Sequence, residues 1–589
     1  MKRHLFFIVS LAFVGLLAAC AAGSPDSAAN AVLAQVDDIA TGAHQTRPSL
    51  LEIDGKVAVL HSTKQDRVAL QIGDQKQSMD ETARVKKGGS YFKLSKVEQK
   101  LAATWWSHQD GKNIYYTSSA DGGKRFTSVS MVNAENGVLV PYHLAHGPQG
   151  ELGMIYHDER SPGYQAYFNR STDFGQTWSK QDQRLDTPPP NGRSSDAHEP
   201  QLVQVGPVWV GAWTELVNVD GKASYRVVSR HSEDTGQTWS PPVVLYSSDH
   251  HISSLIARAN GGNIVIAADE LKRGVFALTS QNGGKAWQSL GHVAETDGAS
   301  NSGIDMAVAT GRAHLTWMHD RPEQKTRVLQ ATADIAQNKW IAPAQRLDVK
   351  AIENTRSISP VILATQRGSL VAAWVDFRDI RPNIYLSASY DQGRKWTAPK
   401  PLNNPGELWL GWPQLISFAD QAAIGYEIYP TDKPNVGMLK VRQLQLGDVN
   451  NSLPGLSQDA PAVTEIERKA KLDRRVKELW EARIAGNYDK AYDMFDFVYK
   501  SLTPKKVYLD NSGVITYLQS SVDKIEIKGN EAFVNMKLKY EMKPTMTPFS
   551  QKPISVSPVD VETPTTWVWV GNDWYLVFAP SFEPQPLKY

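Results

Sequence analysis

Five short stretches of this chain bring aromatic, acidic and arginine side chains within a few residues of one another. They are YHDERSPGY (Tyr156, Asp158, Glu159, Arg160), WTELVNVDG (Trp213, Glu215), ADELKRG (Asp269, Glu270, Arg273), WMHDRPE (His319, Asp320, Arg321) and WVDFRDIR (Trp374, Asp376, Arg378). A guanidinium grips a carboxylate through paired hydrogen bonds, and a flat ring lies well against a sugar or a peptide. The candidate ligand contacts are therefore Arg160, Asp269, Asp320, Arg321, Trp374, Asp376 and Arg378, joined by Glu199 in AHEPQ, Arg356 in NTRSIS and Trp412 in ELWLGWP. Arg378 leads them, because positions 374, 376 and 378 share one face of an extended strand and deliver a ring, an acid and an arginine together. The opposing reading of the same residues is a repeated internal salt bridge, for Arg378 with Asp376 or Asp379, beside a core tryptophan.

Other chemistries have less support. All 14 histidines fall at or before His319, none is spaced i, i+4 on a helix, and the doublet His250-His251 reads as a solvated loop. No glycine-rich phosphate loop follows a strand, so neither a metal nor a cofactor is expected. A formal charge of +1, with 41 % hydrophobic and 21 % charged residues, gives no general pull toward nucleic acid.

The elements that must hold these residues repeat. Six stretches, SADGGKRF from Ser119, STDFGQTW from Ser171, SEDTGQTW from Ser232, SQNGGKAW from Ser280, the degenerate TADIAQNKW from Thr332 and SYDQGRKW from Ser389, start 48 to 61 residues apart. A hydroxyl and a carboxylate two residues apart can bind the backbone of a tight turn, a glycine supplies positive φ, and the aromatic residue covers the hairpin. The structural acids are Asp121, Asp173, Asp234, Asn282, Asp334 and Asp391. Each box is flanked by strand-like runs, with two more upstream, such as PVILATQ and SLVAAWVDF. The pattern S/T-x-D-x-G-x-x-W resembles the Asp-box (BNR repeat) of sialidase-like β-propellers over about residues 45–446. That implies a mainly β propeller of six to eight blades, seven being the expected count, with N- and C-terminal material closing the ring together. If each box joins the third and fourth strands, the candidate contacts lie on the opposite face, where sialidases bind substrate.

The resemblance also implies what an enzyme would need: three arginines on the sialic acid carboxylate, a tyrosine nucleophile activated by a glutamate, and an aspartate as acid or base. By position the candidates are Arg47, in the nearest match to an R-I-P motif, with Arg356 and Arg378; Tyr426 or Tyr429 as nucleophile; Glu199 as its partner; and Asp110 as the acid. Asp-boxes occur equally in propellers that hydrolyse nothing. The expected function is therefore binding of an extracytoplasmic glycan or protein, with an exo-α-sialidase as the alternative and a scaffold of an envelope complex as a second one.

At the N-terminus, MKRHLFFIVSLAFVGLLAAC has a basic start, an apolar run from Leu5 to Leu17 and the single cysteine, Cys20. The ending LAAC resembles a lipoprotein signal, which implies cleavage after residue 19, a lipid on Cys20 and, with Ala21 following, the outer membrane of a Gram-negative bacterium. Residues 20–44 read as a polar tether and 447–463 as a linker. From 464 to 589 the pattern turns helical, breaks at Gly486-Asn487 and continues as strands. WEARIAGNYDKAYD and WVWVGNDWY resemble the NTF2-like (SnoaL-like) α+β cone. This segment has no histidine, so docking of an envelope partner is expected there rather than catalysis, with Trp480, Tyr492, Trp567 and Trp574 lining a pocket or packing a core.

Overall fold

The computed structural model describes residues 32–40, 47–444 and 464–577, short loop stretches such as 80–88, 188–195, 350–354, 379–381 and 403–409 excepted. Cys20, Asp110 and Tyr429 and the side chain of Trp412 lie outside the described residues.

Residues 32–444 form eight antiparallel sheets. The second and third strands of a blade, such as Leu152–Asp158, Leu370–Asp376 and Gly274–Ser280, are buried along their whole length. Each is sandwiched between neighbouring sheets, so apolar residues occupy both of its faces and the alternation of a half-exposed strand is lost. Fourth strands are short and outermost, as in Ser130–Met131 and Gln183–Arg184. First strands touch in succession around the axis, from Ser49–Ile53 through Ser90–Val97, Val138–His146, Asp196–Val205, Ile252–Asn260, Ser300–Ala309 and Ser357–Ala364 to Leu410–Phe418, which meets Ser49–Ile53 again.

The blade count is eight, not seven. Residues 49–78 pair among themselves as blade 1, although they carry no Asp-box, while Val32–Ala40 pairs antiparallel with Val436–Leu444 as the outer strand of blade 8. The sequence reading merged the two ends into one closing unit and left residues 32–40 in the tether; the chain instead makes Val32–Ala40 a strand of blade 8 and builds a complete blade between the two ends. Closure by hydrogen bonds covers the outer edge of Val436–Leu444, which would otherwise be a bare pairing edge.

The boxes join third and fourth strands, on what we call the lower face. In the second box the Ser171 hydroxyl donates to Asp173 Oδ1 at 2.7 Å and accepts from Gly175 N at 2.8 Å, while Asp173 accepts from Thr177 N at 2.9 Å and Thr177 Oγ1 at 2.6 Å. Asn282 serves as well as an aspartate, its Oδ1 accepting from Ala286 N at 2.9 Å. In the degenerate box Asp334 holds only a shorter turn, accepting from Gln337 N. Gly175 has φ +78°, and a Cβ there would sit 2.0 Å from the Tyr116 ring of the preceding blade. The box therefore locks its own hairpin and fits it against the next sheet.

Residues 464–577 add a helix α1 (Glu465–Ile484), started by a capping box of Thr464 and Glu467, two short helices, α2 (Tyr488–Asp493) and α3 (Lys505–Asp510), and one four-stranded antiparallel sheet. Trp480, Tyr492, Trp567 and Trp574 are all buried in the core between helix and sheet. Among the described residues no helix is long and apolar enough to cross a membrane.

Candidate functional site

The face opposite the boxes, the upper face, collects the turns between second and third strands and the starts of the first strands. Most of the acid and arginine pairs there are turned inward. Arg378 donates through Nε and Nη2 to Asp376 at 3.0 and 2.7 Å, and lies 4.2 Å over the Tyr385 ring. The same buried carboxylate accepts from Trp374 Nε1 at 2.9 Å and Ser357 Oγ at 3.2 Å. Arg160 repeats the device on blade 3, reaching Asp158 at 2.6 Å and Asp182 at 2.8 Å over the Tyr167 ring. Trp213 Nε1 donates to Glu215 at 2.7 Å in blade 4. These residues work as latches that hold the blade's own strands together, and Trp374 is fully buried.

The remaining candidates divide. Asp269, pushed up to about 6 by burial, accepts from Asn301 Nδ2 at 2.8 Å and ties blade 5 to blade 6. Arg321 Nε donates to His319 Nε2 at 3.1 Å, and Arg356 lies 4.7 Å over the Phe377 ring. Asp320 is exposed at its turn. Glu199 sits at a β-bulge with φ +51°, and its carboxylate accepts from the backbone N–H groups of Ser254 and Leu255 at 3.0 and 2.7 Å, stapling blade 4 to blade 5. Burial raises its pKa. Tyr426 is fully buried in the core between blades 7 and 8.

Bulges recur at this height in seven of the eight first strands, with left-handed φ at Tyr91, Glu199, Ser254, Gly303 and Ser359. An extra residue there breaks the ladder and turns groups toward the axis. Below the bulges an axial cavity of about 210 Å³ is lined by His143, Gln201, Ser254, Leu255, Arg258 and Ile304. Arg258 faces Asp305 at 3.6 Å, and the Asp305 carboxylate accepts from Ile362 N of blade 7 at 2.9 Å. Lys93, on the first strand of blade 2, has its ammonium 5.2 Å from the centre of the Tyr142 ring. Burial, and then the charge of Arg258, lower Lys93 to about 7; burial, Lys93 and Arg258 hold His143 well below its ordinary value.

Around the mouth of the axis, blades 2 to 5 present an arc of half-exposed rings. Tyr91 meets Trp106 edge-on at 6.5 Å, His108 lies 5.8 Å from Trp106, His198 lies 4.7 Å from Tyr164, and Tyr225 meets His251 at 5.2 Å. Arg47 lies 5.0 Å over Tyr91. The sequence reading missed Lys93, His143, Arg258 and most of the arc; the first three lie inside first strands, where no local pattern marks them. The doublet His250-His251 does lie in a bend outside the strands, with His251 exposed. Among the described residues no group of three or more His, Cys, Asp or Glu side chains could hold a metal ion.

The model of the BNR repeat-like domain matches residues 94–302 and 213–407, together more than half of the chain. The chain belongs to this family. The BNR propeller is also similar in fold to solved structures: the NanB sialidase of Streptococcus pneumoniae (7 % identity, 71 % of this chain and 99 % of that one, TM-score 0.32), a polysaccharide lyase (10 %, 60 % and 89 %, 0.40) and a Dyadobacter fermentans protein of unknown function (12 %, 53 % and 96 %, 0.32). No curated protein matches it. At these scores no site or activity passes from those structures to this BNR propeller.

Proposed function

We propose that this chain is a lipid-anchored envelope protein whose propeller binds an extracytoplasmic glycan on its upper face. The observation that carries the reading is the arc of half-exposed rings on blades 2 to 5, Tyr91, Trp106, Tyr164, His198 and Tyr225, set around the axial mouth. Flat faces with polar edges stack on sugar rings, and imidazoles supply hydrogen bonds to hydroxyls. Binding is favoured over sialidase hydrolysis by the state of the catalytic candidates. Arg378 is held by Asp376, Glu199 is held by two backbone N–H groups, and Tyr426 is sealed in the core. A tyrosine nucleophile needs an adjacent base and open access.

The full-length protein, in detergent, is expected to bind immobilised glycans, to lose about tenfold in the affinity of the folded fraction on Trp106→Ala, which also lowers the melting temperature because the ring packs on the core between blades 2 and 3 and its indole N–H donates to Val138 O, and to release no fluorophore from a sialic acid substrate. Fluorophore release would establish the hydrolase instead, and equal binding by Trp106→Ala would remove the arc from the site.

In this reading Cys20 carries the lipid, and residues 464–589 form an NTF2-like module that docks an envelope partner. Cys20→Ser is expected to shift the protein from the membrane to the soluble fraction, because acyl chains supply the membrane affinity. Retention of the variant on membranes at high salt would overturn the anchor.

A further inference from the structure

We infer that the lower face of the propeller, the face of the Asp-boxes, is the surface turned to the lipid that holds Cys20, and that the upper face with its aromatic arc is turned to the aqueous side. The inference rests on the lipid-anchor part of the reading above and adds to it which surface meets the membrane.

The direction of the strands carries it. A third strand runs from the upper face to the lower, since the box follows its end, as Gln165–Ser171 leads into the box of blade 3. Blade 8 keeps the same order outward from the axis, with Leu410–Phe418 first, Gln421–Ile428 second and Val436–Leu444 third, so Leu444 is a lower end. Val32–Ala40 pairs antiparallel with that third strand, Val32 opposite Arg442 and Ala40 opposite Val436. Val32 therefore stands at the lower end as well. The chain from Cys20 enters the propeller, and the chain toward residue 464 leaves it, at one place, the lower outer rim of blade 8.

Length then decides between the two orientations. Cys20 to Ala31 is a stretch of twelve residues. A chain of that length spans at most about 40 Å, and as a coil about 20 Å. Val32–Ala40 has 9 residues, which at about 3.4 Å each make the outer strand about 30 Å tall. With the lower face toward the lipid, the twelve residues have no part of the blade to pass. With the upper face toward it they would have to climb the outside of blade 8, using about three-quarters of their full reach before meeting a headgroup, which is beyond the span of a coil.

The arc lies away from this rim in both directions. Its rings stand at the upper ends of the strands, and they belong to blades 2 to 5, across the ring from blade 8. Anchoring through blade 8 thus leaves the proposed ligand face uncovered by the membrane.

The test uses the fact that Cys20 is the single cysteine and, in this reading, is blocked by its lipid, so that an introduced cysteine alone takes a fluorophore. Gln176→Cys and Lys395→Cys put the label at exposed box turns of blades 3 and 7, Lys222→Cys and Lys325→Cys at exposed upper turns of blades 4 and 6, and Gln35→Cys on the exposed outer strand of blade 8. The acylated full-length variants are placed in phosphatidylcholine vesicles that carry an energy acceptor on some headgroups. Transfer from positions 176 and 395 is expected to be several-fold stronger than from 222 and 325. Stronger transfer from the upper turns overturns the orientation while the anchor stands. Transfer that is strongest from position 35 and alike for the two faces overturns it too, since the propeller would then lie on the edge of blade 8. Vesicles that fail to hold the purified wild type overturn the anchor itself, and the orientation with it, and leave the glycan-binding face to its own test.

Discussion

An arginine beside an acid on a turn can reach outward to a ligand or fold back on its own blade. At Arg378 the geometry is of the second kind: the guanidinium is 12 % exposed and Asp376 beneath it is fully buried with Trp374 and Ser357 on the same carboxylate. Taking away one member of such a pair leaves a buried charge without its partner, which costs about 3–5 kcal/mol. Arg378→Gln is therefore expected to lower stability by about 3 kcal/mol in urea unfolding, with the glycan affinity of the folded fraction unchanged. A variant of wild-type stability that has lost binding would return Arg378 to the list of ligand contacts.

At the scale of the element, the Asp-box answers two demands at once. Asp173 organises the turn through Ser171 and Thr177, and Asp173→Ala is expected to cost about 1–3 kcal/mol, the range for lost hydrogen bonds in a partly buried turn. Gly175 meets the neighbouring sheet. Its φ of +78° is shared in sign by Gly206 at +58°, but a Cβ at Gly206 would touch nothing within 4 Å whereas one at Gly175 would strike Tyr116. Gly206→Ala should thus lose only about 1 kcal/mol of backbone preference, and Gly175→Ala distinctly more. Similar melting temperatures for the two would show that blades do not pack through the box glycine.

For the whole molecule the decisive contact is between the ends of the propeller. Val32–Ala40 is the outer strand of blade 8, paired along Val436–Leu444, so one sheet is built from both ends of the propeller segment, residues 32–444. Deletion of residues 32–40 bares that edge, and an unpaired edge pairs with other chains. The deletion is expected to lower the melting temperature and to give dimers or larger species on size exclusion. An unchanged monomer would mean that the ring is held by its first strands alone.

What the sequence by itself determined is what local chemistry determines. Five of the six boxes prescribe their turns, because a hydroxyl, a carboxylate or amide oxygen, a glycine and an aromatic ring act within eight residues, and the turns in their spacing prescribe blades. The helical run from Thr464 and the strands after it were legible for the same reason: capping and periodicity are read over a few residues. Tertiary structure decided the rest. Spacing put Trp374, Asp376 and Arg378 on one face, but only the packed blade turned the arginine back onto its acid. Blade 1 has no box, so its existence was settled by which strands pair. Lys93, His143 and Arg258 lie as much as 165 residues apart in the chain and gain a common environment only where the first strands converge on the axis, which no local pattern records.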